Sequence, residues 1–223
     1  MDLVATSFAW PLRGAWGRRW AIGALCVLLL PVAFVPLLGY SIMATRSAAA
    51  DPSREPPAWA LSRRLITDGL AIGFLLALLS APFALALNPL ATVFDAARLW
   101  NVEDRALSHV YAVVAALFVL ALPWGLLHLL VVPHATRRFA TSGRFADLFD
   151  FAATYRALRL DFPTWNLVAA AMVTAWTLGI ACVGLVCVGA LAGVFYAILV
   201  SAYACAALKQ ETAPFKGADP SAR

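Results

Sequence analysis

An all-α membrane protein is the fold class this sequence predicts, with four spanning helices, a shallow N-terminal re-entrant helical hairpin and interfacial amphipathic helices. Three observations carry that expectation. Of 223 residues, 63% are apolar and only 13% charged, about half the ~25% charged fraction of a soluble domain. The apolar residues gather into runs of roughly 20, the length that crosses a bilayer core. The basic residues collect in alternate connections between those runs, as the positive-inside rule requires.

Taken in order, the first run is Trp20–Met43, interrupted by Pro31 and Pro36, which cannot complete a helical hydrogen-bond ladder. If it crossed once, Arg13, Arg18 and Arg19 would lie opposite Arg46, Arg54, Arg63 and Arg64, leaving five of the 17 basic residues outside. If it bends at its prolines and returns, 15 are cytoplasmic and two, Arg98 and Arg105, are outside. Charge therefore favours a re-entrant hairpin with arms of about 12 residues, or ~18 Å, too short to cross. A cleaved signal peptide ending at Ala48-Ala49-Ala50 is disfavoured, because the apolar stretch exceeds the 7–15 residues of such a region. The spans expected next are Leu65–Leu87, Ser108–Val132 and two from Trp165–Leu208, divided near Gly184 into Trp165–Val183 and Leu185–Leu208.

Segments between the runs read as interfacial. Arg144–Phe162 aligns Leu148, Phe151, Ala152, Tyr155, Leu158 and Phe162 on one helical stripe, with Asp147, Asp150, Thr154 and Asp161 off it, the pattern of a helix lying along the headgroups. The N-terminus, with Phe8, Trp10, Trp16 and Trp20 among arginines, has the same character, and Asn88–Trp100 shows it more weakly on the outer side. Trp20, Trp100 and Trp165 mark membrane boundaries, while Trp124 and Trp176 read as packing residues. Ser47–Pro57 is the expected flexible connection. A faint repeat relates Phe8-Ala9, Arg13 and the Trp20 hairpin to Phe151-Ala152, Arg156 and the Trp165 hairpin. Residues 1–208 form one domain, and 209–223 are a polar tail expected to be disordered.

The net charge of +5 and pI near 9.3 point to anionic lipid and topology rather than nucleic acid, because the arginines flank apolar runs. Cys26, Cys182, Cys187 and Cys205 lie inside those runs without CxxC or Cys/His spacing, so neither metal nor disulfides are expected. No HExxH, GxSxG, P-loop, GxGxxG or EF-hand pattern occurs. No cofactor and no catalytic residue is assigned.

Three sets of residues are singled out. Asp68 and His128 are ionisable groups inside apolar runs, expected about one turn below the cytoplasmic surface and able to pair; a helix-start aspartate and a packing histidine are the plainer readings. The arginine pairs Arg18-Arg19, Arg63-Arg64 and Arg137-Arg138 set topology and meet anionic headgroups. Gly69, Gly73, Gly189 and Gly193, at small-xxx-small spacing, allow helices to approach closely.

Several motifs recur in a fixed order: Phe8…Pro11, Leu38-Gly39-Tyr40, Pro56-Pro57-Ala58-Trp59, Asp68-Gly69, the stretch Gly143-Arg144-Phe145-Ala146-Asp147-Leu148-Phe149-Asp150-Phe151, and Phe195-Tyr196…Tyr203. Over about residues 8–208 the chain resembles the bacterial and archaeal membrane family known as domain of unknown function 4013, departing from it in Pro-Pro-Ala-Trp where Leu-Pro-x-Trp is usual. The resemblance implies a polytopic membrane protein and brings no activity with it. The expected function is a non-catalytic interaction, assembly or accessory subunit of a prokaryotic cytoplasmic membrane, with both termini cytoplasmic. Its partners would be the lipid bilayer with anionic cytoplasmic headgroups, and a membrane protein or further copies of itself. A small transporter or lipid-handling protein is the alternative.

Overall fold

The computed structural model describes residues 2–97, 100, 104–182 and 186–208, and all the regular structure among them is helical. Helix α1 (Asp2–Ala9) and a 3-10 turn (Trp10–Leu12) precede three helical hairpins. These are α2 (Trp16–Leu28) with α3 (Leu30–Ala50), α4 (Arg63–Ala96) with α5 (Arg105–Ser142), and α7 (Phe162–Ala181) with α8 (Val186–Ala206). Between the second and third lie a 3-10 turn (Phe145–Leu148) and α6 (Phe151–Leu160).

The chain reverses at Leu29, and α2 and α3 pack side by side. Pro31 falls in the first turn of α3, where its missing N–H costs nothing, and Pro36 is absorbed inside the helix. The break is therefore just before the first proline; α3 continues as helix through Pro36 and, at 21 residues, exceeds the arm of about 12 that was expected. The reversal brings the start of α2 beside the segment that follows α3. Trp59 Nε1 donates to the Arg19 carbonyl at 3.2 Å, Ala15 N–H to Glu55 Oε2 at 3.2 Å, and Trp10 Nε1 to the Arg54 carbonyl at 2.7 Å. The connection expected to be flexible is thus helical to Ala50 and then held by side chains of the N-terminal segment.

Helices α4 and α5 outrun the expected spans. At 34 and 38 residues they are ~51 and ~57 Å long. They continue through Pro82, Pro89, Pro123 and Pro133, so Asn88–Trp100 does not begin a separate interfacial helix: α4 carries on to Ala96. Polar caps define the ends. Ser62 Oγ accepts from Leu65 N–H, Asp104 Oδ1 accepts from Ala106 N–H, and Gly143 closes α5 at φ 69°, a left-handed conformation that glycine adopts without strain. The far halves of this hairpin meet through small residues, Ala91, Ala112 and Ala116, all fully buried.

Four described helices are long and apolar enough to cross a membrane: α3, α4, α5 and α7. In α8 the apolar helix Leu191–Ala206 is shorter. The expected division at Gly184 and the tail 209–223 lie outside the described residues. All three hairpins open toward one end, here termed basal. Arg13, Arg19, Arg46, Arg54, Arg64, Arg137 and Arg138 all bond or pair there.

Candidate functional site at the basal end

Several of the residues that carry the family resemblance meet one another here. Tyr40 stacks on Trp59 with ring centroids 4.0 Å apart and donates its hydroxyl to the Pro57 carbonyl at 2.8 Å. Phe195 of α8 packs against both rings. Gly39 lies so close to the Leu65 carbonyl, and Gly69 to the Val35 carbonyl, that a Cβ on either would collide with backbone. Gly39, Tyr40, Pro57, Trp59, Gly69 and Phe195 thus join α3 to α8 and to the start of α4, whereas the Gly143–Phe151 stretch packs elsewhere, Leu148 with Ile42, Leu75 and Phe139 and both Phe145 and Phe149 against Phe74.

Asp68 stands one turn into α4 with its side chain 10% exposed. Arg46 Nη2 of α3 donates to Asp68 Oδ2 at 3.0 Å, and Arg64 Nε lies 3.9 Å from the same oxygen. Arg46 Nε also donates to the Ala140 carbonyl at 2.8 Å, so one guanidinium ties three helices. A charge-assisted bond of this kind is stronger than a neutral one, and it meets the need of a buried carboxylate for a partner.

His128 is not that partner. Its Nε2 lies 3.3 Å from Ser80 Oγ and its Nδ1 2.8 Å from the Trp124 carbonyl. A carbonyl only accepts, so Nδ1 carries the proton, Nε2 is the acceptor and Ser80 O–H donates to it. Trp124 Nε1 donates to Ser80 Oγ at 3.0 Å. Ser80 is about twelve residues beyond Asp68 along α4, some 18 Å. The expected Asp68–His128 pair fails by that distance because α5 runs on to Ser142, which places the Ala140 turn, rather than His128, beside Asp68. Trp124, and likewise Trp176 with Ser201, are half-exposed hydrogen-bond donors rather than buried packing residues.

The small-residue pairs divide. Gly69 is a close approach to α3, whereas a Cβ at Gly73 would make only ordinary contact, 3.5 Å from Leu38. Gly193 meets Gly179 of α7, a partner the spacing did not reveal; Gly189 lies in α8. Within the arginine pairs, Arg19 is buried against Glu55 at 3.3 Å while Arg18 is exposed. Arg63 and Arg64 are exposed. Arg137 Nε donates to the Leu208 carbonyl at 3.3 Å, and Arg138 pairs with Asp150 at 3.0 Å.

The Arg144–Phe162 segment is not one helix but a 3-10 turn, a break at Phe149-Asp150, and the ten residues of α6. Asp150 caps α6. The Ala153 N–H, together with the Arg138 guanidinium, holds the Asp150 carboxyl below the usual carboxylate range. The stripe divides: Phe151, Ala152, Tyr155 and Phe162 are exposed, whereas Leu148 is fully buried and Leu158 packs into the core; Thr154, off the stripe, is buried against the bundle. Among the described residues, His134 Nε2, Arg137 Nη1, Thr154 Oγ1 and Asp161 Oδ2 are buried polar atoms without a hydrogen-bond partner; the Arg137 guanidinium is turned toward Leu208. Arg46, Ser80, His134 and Thr154 were not singled out from sequence. Arg46 and His134 had a readable signal as ionisable residues next to apolar runs. Thr154 had none, since its burial depends on which side of α6 faces inward. Among the described residues no three His, Cys, Asp or Glu side chains gather as a metal site.

The chain belongs to the family described as protein of unknown function, DUF4013, which matches it over residues 22–192. That range excludes the Phe8…Pro11 and Phe195…Tyr203 motifs, so it is narrower than the expected 8–208. No curated protein and no solved structure matches the chain.

Proposed function

We propose that this DUF4013 member is a non-catalytic interaction or assembly subunit of a prokaryotic cytoplasmic membrane, with its basal end and both termini cytoplasmic. In this reading α4, α5, α7 and α8 cross the bilayer. The α2–α3 hairpin re-enters, because its reach is limited by the 13 residues of α2, ~20 Å against a ~30 Å core. The observation that carries the assembly reading is the α4–α5 hairpin. Only 11% of the most apolar window of α5 is buried inside the protein, against 39% for α3. Leu117, Phe118, Val119 and Leu122 are exposed on several sides of one helix, more apolar surface than a helix packed within its own bundle leaves open. Lipid covers part of it, and other membrane helices the rest. Arg18, Arg63, Arg64, Arg144, Arg156 and Arg159 are exposed at the basal end, which supports attraction to anionic headgroups at about 1 kcal/mol for each basic residue near the surface.

Single cysteines placed along residues 107–126 of a chain without its native thiols test the assembly reading by oxidative cross-linking in native membranes. Cross-linked adducts recurring with helical periodicity are expected, and an absence of adducts at every position overturns it. Topology is tested separately at Ser53, which should resist an impermeant thiol reagent added from outside once it is changed to cysteine. Labelling there restores a five-span arrangement. Lipid handling is the second reading, and the unpartnered buried polar atoms of His134, Thr154 and Asp161 are what favour it.

A further inference from the structure

Several basal arginines are committed within the bundle. Arg46, Arg137 and Arg138 donate to carbonyls and carboxylates of neighbouring segments, and Arg19 is buried against Glu55. Arg63, Arg64 and Arg144 are not. Among the described residues they donate no side-chain hydrogen bond, and all three are exposed.

The fold brings these three to one corner from two helix ends. Arg63 and Arg64 open α4, and Arg144 follows the last turn of α5. The Arg64 guanidinium reaches across the gap: its Nη2 lies 3.7 Å from the point that a Gly143 Cβ would occupy. It remains 65% exposed there. The nearest carboxylates leave the corner positive, because Asp68 is bound by Arg46 at 3.0 Å and Asp147 faces Arg138 at 3.8 Å. Guanidinium donors without partners suit phosphate oxygens.

An apolar surface begins where the charge ends. Leu70 and Phe74 lie two and three turns beyond Arg63 on the same face of α4, and both are exposed. Phe145, the residue after Arg144, rests against Phe74 with ring centroids 6.2 Å apart and is itself exposed. Phe74 stands ten residues beyond Arg64, ~15 Å along the axis, which is the depth of one leaflet of a ~30 Å core. Unneutralised charge at the basal boundary, continued by an apolar strip one leaflet deep, matches the two parts of a phospholipid. A soluble anion would leave the strip uncovered.

We propose that this corner of the α4–α5 hairpin holds one anionic phospholipid, with its phosphate on Arg63, Arg64 and Arg144 and an acyl chain along Leu70, Phe74 and Phe145. The site localises the general attraction of the basal arginines to one place. It rests on the membrane reading above and not on the assembly reading.

The full chain in detergent micelles would be titrated with phosphatidylglycerol and with phosphatidylcholine of the same acyl chains, and bound lipid counted by native mass spectrometry. The two lipids share the phosphate, but choline brings a cation toward the arginines. One phosphatidylglycerol per chain is expected, bound roughly tenfold more tightly than phosphatidylcholine. Arg64→Ala and Arg144→Ala should each weaken phosphatidylglycerol about fivefold, the effect of one basic residue near the surface. Phe145→Ala should weaken both lipids alike. Arg18→Ala and Arg159→Ala, at exposed arginines of α2 and α6, should change neither. Equal affinity for the two lipids overturns the proposal. So does an equal loss from every arginine variant, which leaves only diffuse attraction to the surface. Displacement of phosphatidylglycerol by glycerol 1-phosphate at comparable concentration also overturns it, since the acyl chain would then contribute nothing. Should Arg64→Ala misfold, Arg144→Ala and the lipid comparison still decide it. Cross-linking along α5 and labelling at Ser53 are unaffected by any of these results, so failure here and failure of the proposed function are separable.

Discussion

Replacing Asp68 by alanine removes the carboxylate that neutralises Arg46 at the junction of α3, α4 and α5. Breaking a buried ion pair from one side costs ~3–5 kcal/mol, because the partner charge is left without compensation. Here the Asp68 side chain is 10% exposed but Arg46 is 25% exposed. Arg46 also keeps its bond to the Ala140 carbonyl, so solvent and the carbonyl retain part of its stabilisation. The expected loss is therefore near the lower end, about 3 kcal/mol. For a domain of this size that corresponds to a fall in melting temperature of ~6–12 °C. The assay is thermal unfolding of purified Asp68→Ala, Arg46→Ala and the double variant. Coupling of ~1–3 kcal/mol between the two substitutions is expected, since they share one interaction. The parallel cycle of Asp68→Ala with His128→Ala should be additive within ~0.5 kcal/mol, because the two sites share no partner. Additive behaviour of Asp68 with Arg46, or strong coupling of Asp68 with His128, refutes the assignment of Asp68 to the α3–α4–α5 joint.

Gly69→Ala should lower thermal stability by about 1–3 kcal/mol or more through collision with the Val35 carbonyl, while Gly73→Ala should be nearly neutral. Thr154→Asp should destabilise the bundle in detergent. Phe151→Asp should instead weaken reconstitution into bilayers while leaving micellar stability nearly intact, as expected for a side chain that faces lipid; equal effects in both media would contradict the outward stripe. Asp150→Ala should cost ~1 kcal/mol through loss of the α6 cap. Since the folded carboxyl titrates below its unfolded value, its contribution is full above the unfolded pKa, near 4, and is lost as pH falls through the lower folded value. Hydrogen exchange of the α6 peptide should therefore rise on acidification below about pH 4 in the wild type and change less in Asp150→Ala.

The sequence by itself determined the all-helical class of this protein and the shared end at which its hairpins open. Long apolar runs have no soluble alternative, and the distribution of arginines favours hairpins that return to one end; both are one-dimensional properties that survive any packing. Helix caps such as Ser62, Asp104 and Gly143 are equally local, since each satisfies backbone groups within a few residues. What tertiary structure alone decided was depth, facing and partner. Asp68 was recognisable as a buried charge, but its partner depended on how far α5 continues beyond its apolar run, and hydropathy does not reveal where a helix stops once it leaves lipid. The burial of Thr154 was not legible because periodicity places it off the apolar stripe without saying which side of the helix the bundle covers. In water the apolar side of a helix turns inward. At a membrane surface both sides have an apolar or polar counterpart, and here the Asp150–Arg138 pair holds α6 with Thr154 against the bundle and leaves Phe151 and Tyr155 exposed.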